Sequence, residues 1–318
     1  MGTRDFIDEI IQIRERRSSN SSHIESFQRL SSLEQAFKAA PKDQHEIIKY
    51  FPIALVATME GCFRVMAAEL IDHGQPFFDN CVQLLKNHKI TFELIKAFQG
   101  QQVSVGEFVS HIVSINSLSD IDALLSTILD TEFLKELKDH RSRWDIEILK
   151  KEDIPILSNA DTIYKNVSRT FELRHIFCHE TATKIDFDYE EIEECFLSVS
   201  IFLKASVDYV TEKMHPNAPL TQTDMNIHSA ETLDKVIKEI IQLKNQIIQK
   251  LSEQSDRISE LESSHEKWLE YMNAFSTFSA DAYKGGSIWP LIYNTTASKL
   301  ANRYLDTLKK ELISIDEH

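Results

Sequence analysis

Apolar residues recur every three or four positions along most of the chain, which is the spacing of one face of an α-helix. Two such segments occupy residues 4–40, on either side of a polar stretch at 18–22. A third, strongly apolar segment runs from about 46 to 71, and Pro52 within it marks a helix start or a kink. The pattern therefore predicts an all-α protein.

The middle of the chain predicts several short helices followed by two long ones. Small and polar residues punctuate 77–150, and Ser119 or Asp120 is expected to cap the helix that follows them. A helix without internal Pro or Gly is expected from 156 to 178, and a second long helix from Tyr189 to about 213.

A domain boundary is expected at residues 214–223, which contain two prolines and no apolar period. Residues 1–222 before it are predicted to form a helical bundle with its core at about 51–214. Residues 226–318 carry a long helical stripe with one polar lapse, and the glycine pair at 285–286 turns the chain back. The sequence thus predicts a helical bundle followed by a long C-terminal helical hairpin.

Composition and charge narrow the possible functions. The 318 residues include only 7 Gly and 7 Pro, which favours long helices with few turns. The formal net charge of −15 argues against a general nucleic-acid coat protein, but not against an enzyme with a small cationic site. The 4 Cys have no C-x-x-C spacing, and neither a signal-peptide pattern nor an apolar run of about 18 residues occurs. A cytoplasmic protein without a membrane span is expected.

The densest group of reactive side chains lies in the stretch FELRHIFCHE at 171–180, which holds Arg174, His175, Cys178 and His179. On an ideal helix His175 and His179 share a face, whereas Arg174 and His179 diverge by about 140°. One ligand can meet both groups only if the helix ends near His179, or if a second copy of the chain supplies half of the site.

The chemistry of this stretch suits a phosphate. Lys165 and Arg169 precede Arg174 and are expected to make the local potential positive. Arginine offers a rigid fork of donors to two phosphate oxygens, and histidine exchanges a proton near neutral pH. Together they can drive attack of a ribose 2′-hydroxyl on the adjacent phosphate without a metal. From spacing alone, exposed residues on a helix surface are the more common explanation.

The residues Arg174 to His179 resemble the R-x4-6-H motif of HEPN domains, in which a polar residue follows the arginine. The segment ALVATMEGCFR at 54–64, which contains Glu60, resembles the Glu-bearing early helix of the same domains. The resemblance covers about 51–214. It implies a four-helix core, a homodimer that brings two motifs together, and metal-independent RNA cleavage. Members include toxins and antiviral effectors of the abortive-infection type.

The residues and this resemblance together predict a metal-independent endoribonuclease that cleaves single-stranded RNA. Arg174 would hold the phosphate and His179 would transfer a proton. His175 would orient His179 or bind a neighbouring phosphate, and Glu60 would position the arginine or the histidine. No cofactor or metal is expected, and the expected partners are RNA, a second copy of the chain, and a regulatory protein or antitoxin. The alternative is a non-catalytic helical adaptor whose Arg-His pair binds a nucleotide or stabilises a dimer. One toxin branch has a Tyr that a partner enzyme modifies where Thr181 stands here, so that regulation is not implied.

The C-terminal part has a resemblance of its own. Trp268 and the turn from Gly285 to Trp289, within about 230–312, resemble the N-terminal domain family of the lysozyme inhibitor LprI. Secreted members carry two Cys bonded across the hairpin, and these positions are Ser276 and Thr296 here, so lysozyme inhibition is not implied. The resemblance implies a structural or sensing module that regulates or localises activity and does no chemistry.

A zinc site is the first competing interpretation. His175, Cys178 and His179 have ligand types that zinc takes, and Cys195 is expected to approach them from the next helix. Against this, Phe177 and Cys178 fit a buried face, where a free Cys is often a small core residue. Clusters within one helix rarely supply all four ligands.

A nucleotide clamp is the second competing interpretation. Trp144 can stack on a base while Arg141 and Arg143 hold a phosphate. Three acidic residues nearby dilute this charge and favour a solvated helix end. Neither a Gly-x-Ser-x-Gly elbow nor a glycine-rich phosphate loop with its flanking strand occurs in the sequence.

Overall fold

The computed structural model describes residues 3–16, 22–86, 88–100, 102–180, 187–251 and 254–316. Throughout these ranges the regular secondary structure is helical and no β-strand occurs, which confirms the predicted all-α class. The chain divides into two compact units, residues 1–217 and 218–318. The division falls inside the proline-containing stretch where the sequence predicts a boundary.

The first unit contains eleven α-helices in the described ranges. In chain order they are α1 Thr3–Glu15, α2 Ser22–Ala39, α3 His45–Ile48, α4 Tyr50–His73, α5 Phe77–Asn80, α6 Phe92–Gln99, α7 Val105–Ile112, α8 Leu118–Leu129, α9 Phe133–Lys138, α10 Ala160–His179 and α11 Tyr189–Met214. A 3₁₀ turn at Cys81–Leu85 and a π-helical turn at Trp144–Ile148 lie between them.

The apolar helix α4 is the centre of the first unit, with α2, α7, α10 and α11 packed around it. Leu55, Met59 and Phe63 along its length are fully buried. Pro52 lies in the first turn of α4, where its missing N–H breaks no helical hydrogen bond, so it marks a start rather than a kink. Gly74 follows the last helical residue with φ 104°, a conformation that side chains rarely adopt.

The stretch His45–His73 is long and apolar enough to cross a membrane by length and composition. In the most apolar 18-residue part of this stretch, 67% is buried inside the unit. A helix that is apolar on several sides is also what the core of a folded bundle requires.

The N-terminus of α7 packs very closely against α4. A Cβ atom on Gly106 would lie 2.3 Å from the backbone oxygen of Ala68. The carboxylate of Asp72 accepts hydrogen bonds from Gly106 N–H at 2.9 Å and from the Ser104 hydroxyl at 2.5 Å. Ser104 and Glu107 also form a reciprocal capping box. Only glycine permits this contact between the two backbones.

The N-cap of α8 differs from the prediction. Ser119 and Asp120 are both inside the helix, which begins at Leu118, and the Ser117 hydroxyl accepts the hydrogen bond from Asp120 N–H. The Asp120 carboxylate instead accepts from Asn116 N–H at 2.8 Å. Serine and aspartate are equally good caps, so local composition does not rank these neighbours.

Helix α10 carries the reactive stretch and ends with it. It begins at Ala160, later than the predicted 156, because the Asn159 side chain accepts from Thr162 N–H and caps it there. It packs against α4 and α11. Its last residue is His179, and the backbone of Glu180 is extended.

In its described residues the second unit has three α-helices, α12 Gln222–Lys250, α13 Ser255–Ala280 and α14 Trp289–Asp316, with a 3₁₀ turn at Asp281–Tyr283. The first arm of the predicted hairpin is not continuous, because the chain leaves the helix at Leu251, close to the polar lapse in the apolar stripe. Arg257 pairs with Glu311, near the start of α13 and the end of α14, so these helices are antiparallel. Trp268 of α13 stacks on Tyr304 of α14, with ring centroids 4.2 Å apart.

Candidate functional site

The predicted site residues Arg174 and Glu60 meet between α10 and α4. Arg174 Nη2 lies 3.7 Å from Glu60 Oε1, and the two side chains are 28% and 26% exposed. This is the separation of an ion pair rather than a direct hydrogen bond. It places Glu60 beside the arginine, one of the two partners that the sequence predicts for it.

A second arginine, Arg64, lies one turn after Glu60 on α4 and connects this helix to α7. Burial raises the pKa of Glu60, while Arg174 and Arg64 oppose that rise. Burial lowers the pKa of Arg64, and Glu60 opposes it. Arg64 Nη1 donates to the backbone oxygens of Ser110 and His111, the latter at 3.1 Å, and so caps the end of α7. The Glu60 carboxylate is thus under the electrostatic influence of two guanidinium groups.

The two histidines of the stretch lie together at the end of α10. His175 and His179 are exposed, and their ring centroids are 5.1 Å apart. Glu180 N–H donates to the backbone oxygen of Ile176 at 2.9 Å, which closes the last turn. The helix ends at His179, as a site shared with Arg174 would require, but the rings lie on a different face from the guanidinium. Thr181 lies outside the described residues.

Two of the basic residues expected to make this region positive, Arg169 and Arg174, have carboxylate partners. Arg169 Nε lies 2.7 Å from Glu191 Oε1 on α11, and its Nη1 lies 3.2 Å from Glu172. Arg174 has Glu60 beside it. Carboxylates from neighbouring helices therefore partly offset the charge of both arginines, whereas Lys165 is exposed. The spacing of Arg169 and Arg174 along α10 does not reveal the partners Glu191 and Glu60, because these lie on other helices.

The zinc interpretation does not fit the geometry. Cys178 is exposed and not buried as predicted, whereas Phe177 is half-buried and packs edge-on to Phe187. Cys195 is buried, with Sγ 3.7 Å from the backbone oxygen of Asn166. That residue is 13 positions before His179, about 20 Å along the helix axis. Over the described ranges, no group of three His, Cys, Asp or Glu residues is arranged to hold a metal.

The nucleotide clamp around Trp144 is also unsupported. Arg141 Nε lies 3.0 Å from Asp153 Oδ1, and Arg143 Nε lies 2.9 Å from Glu147 Oε1. Both guanidinium groups are therefore paired with carboxylates, as in the solvated helix end that the sequence favours. Trp144 itself is 45% exposed in the π-helical turn.

A groove beside the histidines is a feature that the sequence did not reveal. It lies between α10 and the start of α8 and has a volume of about 730 Å³, within the range of small-molecule sites. It is lined by Asn116, Ser117, Leu118, Ser119, Asp122, Leu134, Ser168, Phe171, Glu172, His175 and Ile176. The α10 residues recur at helical spacing and share one face. The opposite wall, formed by residues between 116 and 134, is more than 30 positions earlier in the chain than the α10 residues, so only the fold brings it near.

The second unit presents an exposed aromatic face on α13. Tyr271, Phe275 and Phe278 are 54%, 42% and 75% exposed. Their rings form a continuous row, with centroids 5.8 Å and 6.1 Å apart. The spacing of four and three places them on one side of the helix.

Comparison with protein families, with curated proteins and with solved structures finds no match for this chain. The two resemblances noted in the sequence therefore rest on its residues alone.

Proposed function

We propose that the protein is a HEPN-like, metal-independent endoribonuclease of the toxin or antiviral-defence type that cleaves single-stranded RNA. One observation carries the proposal. At the end of α10, a half-exposed arginine held against Glu60 stands next to two exposed histidines whose ring centroids are 5.1 Å apart. The arrangement offers a phosphate ligand and proton-transfer groups within a few residues. It needs no cofactor and fits a reducing cytoplasm, where the free cysteines would remain thiols.

In the proposed reaction the ribose 2′-oxygen forms a bond to phosphorus while the bond from phosphorus to the 5′-oxygen breaks. The products are a 2′,3′-cyclic phosphate and a 5′-hydroxyl. His179 accepts the 2′-hydroxyl proton or donates one to the leaving 5′-oxygen, and a second histidine performs the complementary transfer. Arg174 binds the phosphate oxygens and stabilises the negative charge that grows on them. Glu60 holds Arg174 in place until RNA competes for it.

A homodimer through the first unit would complete this site. Arg174 faces α4, whereas His175 and His179 point from another side of α10. A single copy therefore presents the two kinds of group in different directions, and a second copy placed about a two-fold axis would bring its own set opposite. We propose that the second unit regulates or localises this activity through its aromatic face, and that a regulatory protein or antitoxin is one candidate partner.

The test is cleavage of total RNA by the purified full chain in the presence of EDTA. His179→Ala and Arg174→Ala are compared with His228→Ala and Arg303→Ala, which change the same residue types at exposed positions of the second unit. We expect the first two variants to lose nearly all activity, the controls to keep it, and the new ends to carry the cyclic phosphate. Undiminished cleavage by a folded His179→Ala protein would exclude this mechanism, and loss of activity in EDTA would support a metal site.

The ion pair itself favours a second candidate function. Glu60 neutralises Arg174 within one chain, so the pair also suits a non-catalytic adaptor in which the arginine supports the packing of α10 on α4. Full-length protein that binds RNA or a nucleotide, or dimerises, without any cleavage would favour this adaptor over the enzyme.

A further inference from the structure

The groove between α8 and α10 has the chemistry of a base-binding site. Leu118, Leu134, Phe171 and Ile176 give it an apolar surface, which suits the flat faces of a planar ring. Asn116, Ser117, Ser119 and Ser168 add polar side chains to the same lining. A nucleobase combines apolar faces with hydrogen-bonding edges in the same way.

The charge of the groove excludes a phosphate as its occupant. Asp122 and Glu172 contribute carboxylates, and the described lining contains neither Lys nor Arg. Asp122 Oδ1 accepts hydrogen bonds from Leu134 N–H at 3.1 Å and from the Ser126 hydroxyl at 3.1 Å, which fixes its orientation. A fixed carboxylate accepts hydrogen bonds, so it favours a ligand that carries an amino group.

His175 connects the groove to the candidate site. It lines the groove and also lies 5.1 Å, ring to ring, from His179. A base in the groove is therefore one side chain away from the proposed proton-transfer residue. Unpaired bases of single-stranded RNA can turn away from the strand and enter such a site, while the phosphate stays outside.

We propose that this groove binds one unpaired base of the RNA next to the cleaved phosphate, with preference for the amino-bearing bases adenine, cytosine and guanine over uracil, which has no amino group. The proposal rests on the proposed function for its substrate. It adds a specificity site formed by α8 and α10 that neither resemblance implies. The groove would select where the strand is cut, and Arg174 with His179 would carry out the cut.

The first experiment measures binding of free adenosine, cytidine and uridine to the full chain by saturation-transfer NMR. Ser168→Phe places a ring in the groove about two helical turns before His175 on the same face of α10, and Ser263→Phe makes the same change at an exposed position of α13. We expect adenosine and cytidine to bind more tightly than uridine. Ser168→Phe should weaken binding at least about tenfold, and Ser263→Phe should not change it.

The second experiment sequences the ends that each protein produces from total RNA. Ser168→Phe should lower kcat/KM and erase the base preference next to the cut. Asn116→Ala removes an exposed amide from the rim without touching the core, so it should narrow the discrimination between bases even if Ser168→Phe fails to fold. An unchanged preference in folded Ser168→Phe and in Asn116→Ala would overturn the inference while leaving the ribonuclease proposal intact.

The two experiments separate the two proposals. Nucleoside binding that depends on Ser168, in a protein that cleaves no RNA, would support the groove and contradict the ribonuclease. If no nucleoside binds and Ser168→Phe instead changes the oligomeric state, the groove is an interface between copies of the chain and the base-binding proposal is wrong.

Discussion

Arg174 Nη2 of α10 lies 3.7 Å from Glu60 Oε1 of α4, and Arg64 acts on the same carboxylate from the next turn of α4. Burial nevertheless raises the pKa of Glu60, since the two cations do not fully offset the loss of hydration. The pair therefore holds Arg174, the proposed phosphate-binding residue, in place at some cost to the fold, which is a common property of functional sites.

This relationship predicts a pH-dependent effect of Glu60→Gln. A carboxyl with a raised pKa binds its proton more tightly in the folded chain, so the wild type loses stability as pH rises from the unfolded pKa through the folded one. A glutamine at position 60 cannot ionise, so the Glu60→Gln protein does not lose stability in this way as pH rises. We expect the stability of Glu60→Gln relative to wild type to increase across that window, by about 1 kcal/mol or less for a partly solvated group. Urea unfolding from about pH 4 to about pH 8 measures it.

Arg174→Ala provides the matching control. It removes a charge that lowers the pKa of Glu60, so it should raise that pKa further and extend the loss of stability to higher pH. When Arg174→Ala is made in the Glu60→Gln background, it should no longer change the pH dependence of stability, because no carboxyl remains at position 60. A difference between Glu60→Gln and wild type that is constant with pH would contradict the prediction.

The proposed dimeric site predicts rescue between two inactive variants. Arg174→Ala keeps its histidines and His179→Ala keeps its arginine, so a mixed dimer contains one complete composite site. Random mixing should restore about a quarter of the wild-type rate, because half of the dimers are mixed and each has one good site of two. Mixtures are assayed for RNA cleavage after co-refolding. Absence of rescue, although mass measurements show mixed dimers, would place both groups of the site in one chain.

The histidines should differ in their effect on the reaction. His179→Ala removes a positioned acid or base, which typically costs about 10²–10⁴-fold in rate. His175→Ala should cost less in rate, because His175 lines the base groove and neighbours His179 rather than acting alone on the phosphate. Single-turnover cleavage of one oligonucleotide separates the two variants. Equal losses would make His175 a proton-transfer residue of the same rank.

Local patterns predicted much of the fold. Apolar periodicity predicted the class, the central helix α4 and the long helix from Tyr189, because each of these segments buries a stripe at helical spacing. The N-cap at Ser117 and the break at Leu251 were missed, since several neighbouring polar residues are equally suitable and tertiary packing selects among them.

The site was predictable only in part for a related reason. The order Arg174, His175, His179 on one helix is a local property, and the sequence indicates it directly. The carboxylates that pair with Arg169, and the α8 wall of the groove, come from distant parts of the chain. Their positions depend on how helices pack, which periodicity within one helix does not determine.

Ser276 in the second unit predicts a stabilising substitution. Its side chain is fully buried, and its hydroxyl has no hydrogen-bond partner among the described residues. A buried hydroxyl without a partner costs about 1–3 kcal/mol, so Ser276→Ala should stabilise the second unit by about 1 kcal/mol or more. Ser263→Ala, at an exposed position of the same helix, is the control, because it changes stability only through the higher helix propensity of alanine. Equal effects of the two variants in thermal unfolding would mean that the Ser276 hydroxyl is satisfied.

Two glycines in the first unit predict opposite responses to alanine. A Cβ on Gly106 would lie 2.3 Å from the backbone oxygen of Ala68 and 2.8 Å from Cγ of Asp72, and the backbone of α4 cannot yield. Gly106→Ala should therefore push α7 away from α4 and cost about 1–3 kcal/mol or more, as overpacking does. A Cβ on Gly61 has nothing within 4 Å, so Gly61→Ala should stabilise α4 by about 0.4–1 kcal/mol.

The measurement is urea unfolding of both variants together with hydrogen exchange of the α7 amides. Gly106→Ala should lower the midpoint and speed exchange in Val105–Ile112, whereas Gly61→Ala should raise the midpoint and leave these amides unchanged. The two substitutions add the same methyl group to glycines in two helices that pack together, so the contrast isolates the contact with Ala68. A Gly106→Ala protein as stable as wild type would mean that α7 does not approach α4 this closely in solution.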